Sequence, residues 1–290
     1  MSAPVISFEF SAPRDDAARD KVLAVRDKLS TLDPEFFSVT YGAGGSTRDG
    51  TLQTVLALAE SGTSTAPHLS FGGDDDGFIR ELLSQYQSAG IRRIVALRGD
   101  VPSGTGPGSH IYADELVTFI RQETGDHFHI EVAAYPEVHP DSTSPNSDLA
   151  YFKQKVDAGA DSAITQYFYN ADAYFHYVDT VTALGVDIPI VPGIMPITNV
   201  DTLLRFSDKC GADIPRWISQ HLMQYRDDKA SLQSFTTDLV TSLCARLLEG
   251  GAPGLHFYTL NQSLPTLRIF RQLYLSLIHI SEPTRLRRIS

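Results

Sequence analysis

Seven β-rich segments of this chain end in side chains that hydrogen-bond or carry charge. They supply Glu9, Thr40, His68, Arg98 with Asp100, Tyr135 with His139, Gln166, and Tyr258 with Asn261. A carboxyl can hold and deliver a proton, a guanidinium meets phosphate, and an amide is donor and acceptor at once. Imidazole and phenol rings stack as well as hydrogen-bond. A strand built only for packing has no use for Glu9, because burying an unpaired carboxylate is costly. The pattern points to an enzyme without saying which one.

Something must bring these ends together. Strand-like runs are Val5–Phe10, Phe36–Tyr41, Thr65–Phe71, Arg93–Arg98, Ile130–Tyr135, Ala163–Tyr169, Ile188–Ile194 and Leu255–Leu260, each bounded by Gly, Pro or Asp. Helical patterns fill the gaps at Asp15–Leu29, Arg48–Glu60, Asp75–Ala89, Ala113–Glu123, Asp148–Ala158, Ala171–Leu184, Val200–Cys210 and Leu232–Leu248. In the second of these, Leu52, Val55, Leu56 and Ala59 have the spacing of one buried helix face. A further short segment, Pro215–Tyr225, precedes the last helix. Strand then helix, eight times over, predicts a single-domain α/β fold, the (β/α)₈ TIM barrel, with its chemistry at the C-terminal strand ends. A doubly wound sheet is the rival, but no glycine-rich dinucleotide fingerprint follows the first strand.

Composition narrows the partners. With 24 Lys+Arg against 35 Asp+Glu the formal charge is −11, which argues against a nucleic-acid binder that must neutralise phosphates. No apolar run approaches the ~20 residues of a membrane span, and the N-terminus enters a strand pattern without the regions of a secretory signal. Cytoplasmic location is the expectation. Cys210 and Cys244 are the two cysteines; they make neither a disulfide framework nor a metal-ligand spacing. His139 lacks a second ligand at zinc spacing, and His127 with His129 is expected to be a surface pair; no metal is expected.

The last fifteen residues, SLIHISEPTRLRRIS from Ser276, resemble the translation of a sequencing adapter and carry charge +2 (Glu282 against Arg285, Arg287 and Arg288) in an acidic chain. Residues 1–274 are therefore expected to form the domain, and 275–290 to be a non-native tail, disordered or atypical.

Nine motifs in order carry a family resemblance. They are Phe8-Glu9-Phe10, Thr40-Tyr41-Gly42-Ala43-Gly44-Gly45, Ala66-Pro67-His68, Leu97-Arg98-Gly99-Asp100 and Ala134-Tyr135-Pro136-Glu137-Val138-His139-Pro140. After these come Lys155-Val156-Asp157-Ala158-Gly159-Ala160, Ile164-Thr165-Gln166, Pro192-Gly193-Ile194 and His256-Phe257-Tyr258-Thr259-Leu260-Asn261. From about residue 5 to 272 the chain resembles the bacterial, catalytic-domain-only 5,10-methylenetetrahydrofolate reductases.

The resemblance implies an FAD-containing barrel that uses NADH or NADPH, with a lean to NADH, to reduce the folate's methylene carbon to a methyl group by a ping-pong route. It also implies a homo-oligomer. It makes Glu9 the acid that protonates N10 of the folate; the aromatic neighbours Phe8 and Phe10 suit that role, since apolar surroundings favour a protonated carboxyl. The alternative for Glu9 is a structural carboxylate paired with a barrel arginine. Asp100 is implied near flavin and pterin, where a fixed negative charge favours the cationic folate intermediate. Thr40, Tyr41, Ala43, His68, Arg98, Gly99, Asp100, Tyr112, Ala113, Tyr135, His139, Asp148 and Lys155 match flavin-holding positions. Arg98 has pairing with Asp100 as its alternative, and Asp148 and Lys155, seven apart on one helix, have a plain surface-charge reading. Gln166 is implied to bond pterin and nicotinamide, and Phe206 either stacks on substrate or belongs to the core.

Two positions depart from the family. Thr202 stands where Gln is common, and Gln262 where an Arg commonly meets the folate's glutamate tail, a charge that Gln cannot supply. Rival functions are another FAD-barrel oxidoreductase of proline-dehydrogenase type, which needs an arginine cluster for its substrate, and a non-catalytic flavin- or folate-binding subunit. A Schiff-base aldolase needs a strand-end lysine, and none of the strand segments contains one.

Overall fold

The computed structural model describes residues 5–41, 45–71, 76–98 and 112–281, without the side chains of 45–49 and 275–281. Ala43, Gly99 and Asp100 lie outside these residues.

The strands are β1 (Val5–Phe10), β2 (Phe36–Val39), β3 (Thr65–Leu69), β4 (Arg93–Ala96), β5 (His129–Ala134), β6 (Ser162–Thr165), β7 (Ile190–Val191), β8 (Gly193–Ile194) and β9 (Gly254–Tyr258). All pair in parallel, in the order β7-β6-β5-β4-β3-β2-β1-β9-β8. The two end strands are separated in sequence only by Pro192, so the sheet closes into a barrel. The single run expected at Ile188–Ile194 is thus split, because proline has no N–H to continue the ladder. Its carbonyl still accepts from the His256 N–H at 3.0 Å. The Gly193 N–H then donates to Thr165 Oγ1 at 2.9 Å. A side chain at Gly193 would put Cβ 2.1 Å from the Thr165 carbonyl oxygen and 2.6 Å from the Tyr258 ring, so this crossing needs glycine.

Helices α1 (Asp16–Leu29), α2 (Gly45–Glu60), α3 (Asp76–Ser88), α4 (Ala113–Thr124), α5 (Pro145–Asp157), α6 (Ala171–Ala183), α7 (Val200–Cys210), α8 (Arg216–Gln224), α9 (Lys229–Glu249) and α10 (Leu264–Ser281) follow the strands. Several starts are capped by side chains: Asp15 Oδ1 accepts from the Ala18 N–H at 2.7 Å, and Asn199 Oδ1 from the Thr202 N–H at 2.8 Å. The buried face of α2 is Thr51, Thr54, Val55 and Leu58, one residue earlier than the Leu52-based stripe. Both threonines can be buried because their hydroxyls donate to backbone, Thr51 to Thr40 O at 2.8 Å and Thr54 to Gly50 O at 2.6 Å. α10 begins well before the suspected tail and runs through Ser281. No helix among the described residues is long and apolar enough to cross a membrane.

Strand alternation divides the side chains into two layers. Outside the barrel, under the helices, lie Ile6, Phe8, Phe10, Phe37 and Phe257 in one large core. Phe10 stacks on Phe37 with centroids 5.3 Å apart. Inside lies a smaller apolar group, Phe36, Ala66, Val95 and Ile164. Near the strands' N-terminal ends, Arg93 binds Glu131 and, at 2.6 Å, Glu35, and its guanidinium covers the Phe36 ring at 4.5 Å. Burial pushes the Glu131 carboxyl up, but hydrogen bonds from His129 and Ser162 and the Arg93 charge together bring it below its ordinary value.

Candidate active site

The alternation that sends Phe8 and Phe10 outward turns Ser7 and Glu9 into the barrel. The aromatic residues beside Glu9 in sequence are therefore not its surroundings. Its Oε2 lies 3.4 Å from His68 Nε2 on β3 and 3.8 Å from His256 Nε2 on β9. His256 is fully buried and its Nδ1 is 2.7 Å from Ser7 Oγ. Among the described residues Glu9 faces these two imidazoles, while Arg93 is paired with Glu131 and Glu35 at the other end of the barrel. Burial holds the His68 imidazole below its usual range; Glu9 pulls the other way and His256 reinforces the lowering. Neither His68 Nε2 nor His256 Nε2 has a hydrogen-bond partner among the described residues. Sequence reasoning missed Ser7 and His256 as members of this cluster. Period-two alternation on β1 and β9 was the available signal.

Glu9, His68, Thr40, Tyr41, Phe206 and Tyr258 line a cavity of about 480 Å³ at the barrel mouth. A second cavity of the same volume, about 480 Å³, lies beside it over β4 and β5 and contains Arg98, Tyr112, Ala113, His139, Asp148 and Lys155. Leu97, Ala133, Tyr135, Gln166, Lys209 and Cys210 line both, so the two are lobes of one site. The fold thereby assembles residues drawn from β1 through α7, together with β9.

Several side chains are held in place by specific contacts. Arg98 pairs with Asp141 at 2.7 Å, at the half-exposed rim. Asp148 is buried; it accepts from Ser142 Oγ at 2.8 Å and from the His139 N–H at 3.3 Å, fixing the loop before α5. The His139 ring meets Tyr135 edge-on at 4.5 Å. Burial pushes the Tyr135 phenol up to about 12. Lys155 donates to the Ala133 carbonyl and lies 5.4 Å over the Phe152 ring; burial lowers its ammonium to about 8, against the pull of Asp148. Gln166 Oε1 accepts from the Tyr167 N–H at 3.0 Å. Thr40 Oγ1 accepts from the Ala12 N–H at 3.0 Å.

The sequence profile of the methylenetetrahydrofolate reductases matches residues 1–274. The chain belongs to the methylenetetrahydrofolate reductase family. It is 39% identical over 259 residues to the 5,10-methylenetetrahydrofolate reductase of Escherichia coli (strain K12), covering 89% of this chain and 86% of that one. It is 37% identical over 284 residues to a probable methylenetetrahydrofolate reductase (NADH) of Oryza sativa subsp. japonica, across 93% of this chain but 48% of the plant protein. Among solved structures, a Clostridium thermocellum protein that binds two copies of 5-methyl-5,6,7,8-tetrahydrofolic acid superimposes with a TM-score of 0.66. At 16% identity, over 95% of this chain and 96% of that one, it shows the shared fold.

Within this methylenetetrahydrofolate reductase fold, two expected folate positions stand apart. Neither Thr202 nor Gln262 lines the cavity lobes; Thr202 is half-buried at the start of α7, and Gln262 is exposed. Asn261 is a brace, its side chain bonding both the N–H and the carbonyl of Ser11 at 2.9 and 3.0 Å. His127 and His129 are not a surface pair. Both are half-buried with separate partners, His127 on Arg92 at 2.9 Å and His129 on Ser162 at 2.7 Å.

Proposed function

We propose that this enzyme reduces 5,10-methylenetetrahydrofolate to 5-methyltetrahydrofolate, with FAD bound in the two-lobed cavity and NADH or NADPH, NADH for preference, as the donor. The observation that carries the reading is Glu9 in the barrel-mouth lobe, joined through Leu97, Tyr135 and Gln166 to a lobe bearing Arg98 and Lys155. The donor set suits a flavin dinucleotide: cations for a pyrophosphate, aromatic rings for stacking, and Ala113, Ala133 and Ala134 where a flat ligand passes close. His68, in a wall of the barrel-mouth lobe, holds its buried Nε2 3.4 Å from Glu9 Oε2 without a hydrogen bond among the described residues.

When bound, FAD supplies the hydride that it has received from the nicotinamide. The chain's own residues do the rest. Glu9 delivers a proton to N10 of the folate, opening the five-membered ring to a 5-iminium cation that can accept hydride. His68 and His256 flank Glu9 Oε2 at 3.4 and 3.8 Å. Gln166 offers its amide to pterin or carboxamide in turn, and Phe206 closes the lobe on an apolar face. Asp100 is assigned the electrostatic role beside flavin and pterin. Thr40, Tyr41, Ala43, His68, Arg98, Gly99, Tyr112, Ala113, Tyr135, His139, Asp148 and Lys155 are assigned to FAD, Asp148 by fixing the 139–142 loop. In this reading the enzyme works by ping-pong in the cytoplasm, as a homo-oligomer serving methionine synthesis. Residues 275–290 lie outside the reductase domain, a reading supported by the family match stopping at 274.

The test is the visible spectrum of the purified protein. It should be yellow, bleach with anaerobic NADH and recover its colour on adding methylenetetrahydrofolate. Heat-released cofactor should chromatograph as FAD; FMN alone, or no flavin, overturns the reading.

A further inference from the structure

The barrel-mouth lobe is poor in positive charge. Among the described residues that line it, Lys209 is the one lysine or arginine. It lies in the last turn of α7, three residues after Phe206, so the two side chains share a face of that helix, and both line the lobe. Lys209 is exposed, and its ammonium has no ion pair or hydrogen bond among the described residues. The cations of the second lobe are engaged: Arg98 pairs with Asp141 at 2.7 Å, and Lys155 donates to the Ala133 carbonyl. A lysine near a helix C-terminus also favours the helix dipole, but any position on the last turn serves that end, and it does not account for a place in the cavity wall. The substrate of the proposed reaction brings negative charge to this lobe. 5,10-Methylenetetrahydrofolate ends in a glutamate with two carboxylates, separated from N10 by an aminobenzoyl ring. With N10 at the half-buried Glu9, the glutamate leaves on the solvent side of the lobe, because an unpaired carboxylate is costly to bury. Gln262, at the position where the family resemblance implies an arginine, is uncharged and outside the lining.

We propose that Lys209 meets the carboxylate tail of the folate, a cation on α7 supplying the charge that Gln262 lacks. This rests on the reading of the enzyme as a methylenetetrahydrofolate reductase and adds a specificity-determining residue to it. One ammonium meets one of the two carboxylates, which leaves the other for a cation placed at 262. The contact is made to the bound substrate and takes no part in proton or hydride transfer, so it is felt in KM and not in kcat.

The experiment compares the FAD-loaded full-length wild type, Lys209→Met and Lys209→Arg on two substrates. One is methylenetetrahydrofolate; the other is its analogue in which an uncharged amide replaces the glutamate. Methionine keeps the helix propensity and apolar stem of lysine without the charge. Lys209→Met should raise KM for methylenetetrahydrofolate about two- to fivefold at low salt, as befits an exposed charge pair. The difference should shrink at high salt. KM for the amide should be alike in all three proteins, and Lys209→Arg should stay close to wild type on both substrates. An equal loss on both substrates, or none on either, overturns the proposal while leaving the reductase reading intact. So does a rise confined to KM for NADH, which would place Lys209 on the phosphates of the nicotinamide dinucleotide. A wild type that oxidises NADH but reduces neither folate overturns the reductase reading, and the assignment of Lys209 with it.

Discussion

The Nδ1 atom of His256 lies 2.7 Å from the hydroxyl oxygen of Ser7, across neighbouring strands whose register pairs the same two residues. In the tautomer with hydrogen on Nε2, the serine hydroxyl donates to Nδ1 and the ring presents N–H towards Glu9, 3.8 Å away. A residue two positions before the acid thus orients the imidazole beside the acid. Ser7→Ala leaves a nitrogen of a fully buried ring without a partner, which costs on the order of 1–3 kcal/mol of stability. Urea unfolding should show that loss. Stopped-flow should show a slower folate half-reaction with flavin reduction by NADH unchanged. An unaltered folate rate would reduce the contact to a structural one.

Glu9→Gln tests the acid itself. The amide keeps size and hydrogen bonding but has no proton to deliver at N10. Flavin reduction by NADH should stay near wild type while methylenetetrahydrofolate reduction is abolished. The two half-reactions are separable in the stopped flow, and equal loss in both would assign Glu9 a structural role.

The barrel was legible in the sequence because each strand is a short β-rich run closed by Gly, Pro or Asp, and each following helix carries its own apolar stripe. Where the reading slipped, a tertiary contact outweighed local pattern. Thr51 and Thr54 look polar until their hydroxyls are seen bonded to backbone, which turns α2 by one residue. Pro192 was visible in the sequence, but that it splits a strand yet closes the barrel depends on His256 and Thr165 supplying the bonds. Glu9 was identifiable from its position; its environment was not, because Phe8 and Phe10 belong to the opposite face. Ser7 and His256 are 249 residues apart, beyond any local motif.

In the proposed FAD site, the lowered ammonium of Lys155 predicts a pH dependence of flavin binding. Burial brings it to about 8, so it is charged below that pH and neutral above it. An anionic pyrophosphate binds the charged form, so FAD affinity should fall as pH rises through about 8, and anion binding should itself draw the midpoint upward. Fluorescence titrations from pH 6.5 to 9.5 (a range of roughly 1.5 units either side of that value) measure this. Lys155→Met should bind FAD more weakly with the slope removed. A slope that persists in Lys155→Met would place the titrating group elsewhere.

Gln262 poses the remaining question of substrate affinity. It follows a turn in which Leu260 and Asn261 adopt left-handed backbone angles, φ 49° and 57°, and its N–H donates to the Thr259 carbonyl at 3.0 Å. Leu260 lines the barrel-mouth lobe, while Gln262, two residues on, is exposed and outside that lining. That is a place from which a longer cationic side chain can meet the carboxylate tail of a folate whose pterin lies deeper. Gln262→Arg should therefore lower KM for methylenetetrahydrofolate. A charge-assisted contact is worth on the order of 1.5–3 kcal/mol, and solvent screening at an exposed position trims it towards or below the lower end. The gain should shrink as salt rises, since exposed charges are screened, and the nicotinamide half-reaction should be untouched, since the contact is made only to folate. A KM that does not change in Gln262→Arg across a salt series would mean that another residue already meets the glutamate tail, and the substitution at 262 would then carry no cost in substrate binding.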